Sequence, residues 1–225
     1  MANLKEVVKA EEETIEIEPG MDILKVNKKL ALKNRELLRK HKVRAIDVMG
    51  SIGAGKTSLI EKLVQALKKK YRIAVFKGDL TTTIDAELIS RHGVEVVPIN
   101  TGRECHLDAN LVARAVQKIR LEDIDLLFIE NVGNLICPAE FPLGTEKRVV
   151  VVSVTEGPYM VVKHPFSFID ADVAVINKKD LAKVMKVDTK KLEMEVKEIK
   201  PSVKVVVTNA LNGEGVEELV DALEL

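Results

Sequence analysis

The chain has 225 residues, with 35 Lys and Arg balanced by 35 Asp and Glu and an apolar fraction of 46%. That length and composition suit one large domain, or a domain with an appendage, around an aliphatic core. Zero net charge supplies no field to gather nucleic acid or an anionic membrane, no apolar run approaches a membrane span, and the charged N-terminus lacks a signal-peptide core. The expectation is a cytoplasmic protein with neither nucleic acid nor membrane as partner. Two cysteines fit a reducing compartment, where a structural disulfide is not expected.

Residues Met1 to Gly20 are charged and end in Glu18-Pro19-Gly20, the pattern of a flexible or loosely docked segment, taken as residues 1–20. Asp22 to Lys40 predicts a helix inside an N-terminal helical unit, residues 21–42. Its apolar stripe is Ile23, Val26, Leu30, Leu37 and Leu38, with Lys and Arg on the other face. Such a helix packs on the domain edge or receives a partner, and spacing does not separate the two. Residues 43–225 form the main domain. Val43 to Met49 predicts a short strand rich in branched residues. Ser58 to Lys70 predicts a helix, with apolar residues at Leu59, Ile60, Leu63, Val64 and Leu67.

Between that strand and helix lies Gly50-Ser51-Ile52-Gly53-Ala54-Gly55-Lys56-Thr57, which fits the phosphate-loop pattern G-x-x-x-x-G-K-[ST] in its required context. Glycines let backbone N–H groups turn toward an anion. The helix start adds its dipole and free donors. Lys56 is expected at the outer phosphates, Thr57 at Mg²⁺ through its hydroxyl, and Ser58 completes the set of loop residues around the nucleotide.

Strands and helices then alternate. Strands are expected at Arg72–Lys77, Val94–Ile99, Leu126–Glu130, Arg148–Val154, Val173–Ile176 and Val203–Thr208. Helices are expected at Asp85–His92, Leu107–Ile119, Thr189–Lys197 and Val216–Leu225. The fold class is therefore α/β, a P-loop domain with a mostly parallel, twisted sheet and helices on both faces. Ligands of such sheets gather at the carboxyl ends of the strands. Asp79 follows one strand there, and Glu130 ends another ahead of Asn131-Val132-Gly133. Thr57 and Asp79 are candidates for direct Mg²⁺ ligation, with Glu130 binding directly or through water. Asp85 could orient an attacking water; it reads equally well as a helix N-terminal carboxylate.

Asn177-Lys178-Lys179-Asp180 follows a strand and fits the N-K-x-D pattern that reads guanine. The Asp180 carboxylate can accept from the ring N–H and the exocyclic amine, a donor pair that adenine lacks. The Lys178 stem can lie over the base, and Asn177 can tie loops together. Thr208-Asn209-Ala210-Leu211 occupies the place of a final base-contacting loop, with Ala210 as the candidate contact and Asn209 where Ser is common. Lys163, after Thr155-Glu156-Gly157, could reach a phosphate of its own or a neighbouring subunit; its ordinary reading is a solvated lysine. Cys105-His106 follows a strand and opens a helix, while Cys137 lies just beyond Glu130 and Gly133. Thiolate and imidazole on that edge suit Zn²⁺ or Ni²⁺. Three ligands leave a fourth position for water or a second subunit. The competing reading is two buried thiols and a helix-capping histidine.

Together, Gly50 to Thr57, Gly78-Asp79-Leu80, Thr101-Gly102-Arg103-Glu104-Cys105-His106, Asn177 to Asp180 and above all Glu130-Asn131-Val132-Gly133-Asn134-Leu135-Ile136-Cys137-Pro138 resemble the hydrogenase nickel-incorporation GTPases, HypB type. The resemblance runs from Met21 nearly to the end. It implies a P-loop GTPase converting GTP and water to GDP and phosphate with Mg²⁺, and a homodimer favoured by GTP. It also implies nickel or zinc held by Cys and His near the nucleotide. Nickel delivery to the [NiFe]-hydrogenase large-subunit precursor follows, with a zinc-binding accessory protein as partner. The chain lacks the N-terminal cysteine motif and His-rich stretch that some members carry, so nickel storage is disfavoured. The alternatives are a urease-type nickel GTPase, whose family uses Cys-Pro-His, and a GTP-controlled binding module with inert cysteines.

Overall fold

The computed structural model describes residues 3–10, 22–79 and 83–225. In chain order the elements are β1 (Asn3–Leu4), β2 (Val8–Lys9), α1 (Ile23–Lys40), β3 (Arg44–Gly50), α2 (Lys56–Leu67), β4 (Ile73–Asp79), α3 (Ile84–Ser90), β5 (Glu95–Asn100), α4 (Ala109–Val116), β6 (Leu126–Glu130), α5 (Cys137–Glu140), β7 (Lys147–Ser153), α6 (Met160–Lys163), α7 (Pro165–Ile169), β8 (Val173–Asn177), α8 (Ala182–Met185), α9 (Thr189–Ile199), β9 (Lys204–Val207) and α10 (Val216–Leu223). The strands pair in the order β1-β5-β4-β6-β3-β7-β8-β9, with β2 also on β5, and every pairing is parallel. The sheet thus grows outward in both directions from β3, the strand that carries the glycine loop.

Period-two alternation divides the core between the two faces. Ile46 and Val48 of β3, Ile73 and Val75 of β4 and Phe128 of β6 pack with Leu59, Ile60 and Leu63 of α2 and Leu219 of α10. Ala45, Phe76, Val97 and Ile129 meet Leu38 of α1 and Leu111, Val112 and Ala115 of α4 on the other face. There, Val150, Val152 and Ile176 pack under Phe168 of α7 and Leu192 and Val196 of α9. Burial of both faces is why the central strands read as near-continuous apolar runs. The α/β class and two-sided helical cover are as expected.

Of the two readings given for the N-terminal segment, flexible or loosely docked, residues 3–10 are docked. Asn3 pairs with Glu95 and Val8 with Ile99, so the free edge of β5 is covered rather than left open, and Val8 is 2% exposed. Residues 11–20 of that stretch lie outside the described residues. Helix α1 forms where expected, with Asp22 capping the Leu24 and Lys25 N–H groups. Its buried face only partly follows the expected stripe: Leu38 is buried and Val26 and Leu30 are partly buried, but Ile23 and Leu37 are exposed, and Asn27, Ala31 and Asn34 are buried instead. The two asparagines face inward because they bond backbone. Asn27 accepts from Ala109 N–H at 2.7 Å and donates to Pro142 C=O at 2.9 Å. Asn34 donates to the carbonyls of Ala109 and Leu143 at 2.8 and 3.1 Å. A narrow polar seam thus clamps the start of α4 to the loop after α5.

Candidate site at the carboxyl edge of the sheet

The loop Gly50–Gly55 runs from the end of β3 to the start of α2. Gly55 has φ +98°, and a Cβ there would strike the side-chain amide of Asn177, so this position requires glycine for two reasons. Lys56 donates to the carbonyls of Gly50 and Ser51 at 2.9 and 3.0 Å, bending its ammonium back over the loop. Burial pulls the Lys56 pKa below the ordinary lysine value, opposed by Glu130, Glu156 and Asp85. Its ammonium is therefore set to gain from an anion in this cleft.

A cleft of about 480 Å³ opens there, lined among others by Gly53, Lys56, Thr57, Ser58, Asp79, Asp85, Glu130 and Lys178. The Thr57 hydroxyl lies 2.8 Å from Glu130 Oε1 and 3.2 Å from Asp85 Oδ2. Glu130 is 1% exposed, and its Oε2 is buried without a hydrogen-bond partner. An orphaned carboxylate oxygen beside a threonine hydroxyl fits a hard, oxygen-seeking cation. Residues 80–82, between Asp79 and Asp85, lie outside the described residues.

Lys77 also lines the cleft, a residue that sequence reasoning passed over. Its ammonium lies 2.9 Å from Glu130 Oε1 and 3.4 Å from Asp85 Oδ2. Burial pulls its pKa down, but the Glu130, Asp85 and Asp79 carboxylates outweigh that and raise it. The signal available was one lysine in the apolar run Ile73–Gly78.

Cys105, His106 and Cys137 come together, as their spacing alone could not show: their ligand atoms all lie within 4.8 Å of one another. The Cys105 thiol donates to Cys137 Sγ at 3.1 Å, and that contact, followed by burial, raises the Cys105 pKa. Cys105 is exposed and Cys137 partly exposed, so the buried-thiol reading does not hold. Burial lowers the His106 pKa, favouring the neutral imidazole that a soft metal needs. The His106 ring rests on Phe141, centroids 4.0 Å apart.

The turn 130–137 joins this cluster to the phosphate loop. Asn131 Oδ1 accepts from Leu107 N–H at 2.9 Å and Val132 N–H at 3.1 Å, while its amide reaches buried Asp47 at 3.4 Å. Asp47 pairs with Arg148 at 3.1 Å, although burial still raises its pKa. Asn134 donates to the Cys105 carbonyl at 3.3 Å, accepts from Ile136 N–H at 2.9 Å and forms a β-bridge to Gly50. A Cβ on Gly133 would strike Ile52 of the phosphate loop.

At the other end of the cleft, Asn177 does tie loops together. It donates to Ala54 C=O at 2.9 Å and accepts from the Thr208 hydroxyl at 2.9 Å and Ala210 N–H at 3.0 Å. Lys178 adopts φ +62° and donates to Thr155 Oγ1 at 3.2 Å. Asp180 is exposed beyond it. Asn209, in the expected Ser position, turns its side-chain oxygen to Leu211 N–H at 3.1 Å. Lys163 is exposed on α6 and is not among the residues lining the cleft.

Comparison with known proteins identifies the family. Residues 44–207 match the family described as CobW/HypB/UreG, nucleotide-binding domain. The chain is 55% identical over 203 residues to the probable hydrogenase maturation factor HypB of Methanocaldococcus jannaschii, covering 90% of this chain and 92% of that one. It is 38% identical over 208 residues to the HypB of Escherichia coli K12, covering 92% and 72%. The crystal structure of HypB from Archaeoglobus fulgidus superposes with TM-score 0.83 at 44% identity, covering 89% of this chain and 98% of that one. HypB from Helicobacter pylori in complex with nickel gives 0.84 at 32% identity, covering 88% and 94%. The chain therefore belongs to the CobW/HypB/UreG family, among the HypB hydrogenase maturation factors.

Proposed function

We propose that this chain is a GTP-hydrolysing metallochaperone that couples GTP binding and hydrolysis to nickel delivery during [NiFe]-hydrogenase maturation. The observation that carries the reading is the shared turn. Asn131 and Asn134 bond the segment bearing Cys105 and His106, and the same turn begins at Glu130, reaches Gly50 and ends at Cys137. In this reading, nucleotide and metal occupy one rim of the sheet, and movement of the turn changes both.

Lys56 and the N–H groups of Gly53 to Ser58 bind the phosphates. Asn177 sets the loops around the base, Asp180 selects guanine, and Lys178 and Ala210 flank it. Thr57, Asp79 and Glu130 would hold Mg²⁺, which when bound supplies charge neutralisation at the phosphates. Asp85 would position the attacking water. Hydrolysis then needs orientation and electrostatics, without a covalent intermediate. Cys105, His106 and Cys137 hold the nickel cargo, or zinc, and exposure of Cys105 permits handover to a partner. The partners in this reading are a second copy in a GTP-favoured dimer, a zinc-binding accessory protein and the hydrogenase large-subunit precursor.

Phosphate release from GTP and ATP, together with equilibrium dialysis of reduced protein against Ni²⁺ and Zn²⁺, tests this. The expected result is GTP-selective hydrolysis with one bound metal that Cys105→Ala releases. Hydrolysis without metal binding would leave only a nucleotide switch.

A further inference from the structure

Lys77 has no role in the function proposed above, yet the fold places it deliberately. It is 6% exposed and sits in register opposite Glu130 in the β4–β6 pairing. Two residues on from Val75, it points to the α2 side of the sheet, where Thr57 lies. A buried lysine at a strand's carboxyl end is costly unless its charge is matched. Here it is matched by Glu130 at 2.9 Å and Asp85 at 3.4 Å. These are two of the carboxylates assigned to Mg²⁺ and the attacking water. Thr57, assigned to Mg²⁺ as well, bonds the same Glu130 Oε1 that Lys77 holds, while Oε2 has no partner.

We propose that Lys77 is an internal counter-cation of the cleft: its ammonium pairs with Glu130 and Asp85 and competes with Mg²⁺ for them, so it sets the Mg²⁺ concentration at which the divalent ion strengthens nucleotide binding. The proposal rests on the reading of this cleft as a GTP–Mg²⁺ site. An ammonium about 3 Å from a carboxylate oxygen and a divalent cation on the same carboxylate repel each other strongly in a poorly solvated cleft. Mg²⁺ must therefore displace Lys77, or bind against its charge. Without the Lys77 ammonium, Glu130 and Asp85 keep only the weaker field of Lys56, whose own ammonium is bonded to the Gly50 and Ser51 carbonyls, and the cleft gains affinity for any hard cation.

The test is calorimetric GDP binding across a Mg²⁺ titration, for wild type, Lys77→Met and Lys77→Arg. Met keeps the length without the charge; Arg keeps the charge. In Lys77→Met the Mg²⁺ midpoint for tightening GDP binding should fall about tenfold or more, while Lys77→Arg stays close to wild type. Without nucleotide, Mg²⁺ should raise the melting temperature of Lys77→Met by more than that of wild type. Equal Mg²⁺ midpoints in a protein that binds GDP would overturn the proposal and leave the GTP reading standing. So would weaker Mg²⁺-free GDP binding with an unmoved midpoint, since Lys77 would then be a phosphate ligand. A wild-type protein that binds no guanine nucleotide would overturn both.

Discussion

Asn131→Ala tests the turn that joins the two halves of the site. The Asn131 side-chain oxygen is the acceptor for Leu107 N–H and Val132 N–H, at 2.9 and 3.1 Å, and Asn131 is 0% exposed. Removing it orphans two buried donors at about 1–3 kcal/mol each, part of which relaxation recovers, so roughly 2–4 kcal/mol is expected. The buried Asp47 also loses its amide partner and, among the described residues, is left with Arg148. At roughly 2–4 °C per kcal/mol for a chain of this size, the melting temperature should drop by about 5–15 °C. The loss does not fall evenly. Leu107 follows directly on His106, so the Cys105–His106 loop loses an anchor while the phosphate loop keeps Asn177. Nickel affinity should weaken about tenfold, the equivalent of about 1.4 kcal/mol spent on re-ordering that loop, with GDP affinity changed far less. Thermal unfolding with nickel and GDP calorimetry measures all three. A variant that melts within about 3 °C of wild type and binds nickel equally well would refute the argument that Asn131 holds the metal loop.

Gly133→Ala should weaken GTP and GDP binding about tenfold or more, because its Cβ would meet Ile52 side chain and backbone, the Ile52 Cα at 3.0 Å; unchanged calorimetric affinities would show that the two loops move apart freely. Asn27→Leu should cost roughly 2–4 kcal/mol in denaturant unfolding, since Ala109 N–H and Pro142 C=O both lose their partner in a closed seam. Asp125 is held down to about 2, chiefly by its hydrogen bonds from Arg72. A depressed carboxylate stabilises the fold above its unfolded value of about 4 and loses that contribution as pH falls through about 2. Arg72→Met should therefore flatten the fall of melting temperature across that window. Both side chains are largely exposed, so salt should shrink the effect.

Much of this was readable in the chain itself. The glycine loop announces its strand and helix, and Leu126–Glu130 is found at the expected ends because both its faces are apolar. Helix α1 shows where pattern fails. Its buried face is built on Asn27 and Asn34, which bond backbone 75 to 115 residues away, and no local periodicity contains those partners. Lys77 fails in the same way, since its meaning lies in its register with Glu130 on another strand. Cys105, His106 and Cys137 could be placed on one edge by counting strands. Only the pairing of β4, β5 and β6 brings their ligand atoms together. The edge strands β1 and β2 are two residues each, too short for any alternation to register.

The central claim is that the nucleotide and a soft metal share one rim of the sheet and bias each other through residues 130–137. Nickel titration of the reduced protein, loaded with GDP and then with a non-hydrolysable GTP analogue, tests it most directly. The account predicts dissociation constants that differ by about fivefold or more between the two states, a difference that Asn131→Ala erodes. Identical nickel affinity in both states would contradict it.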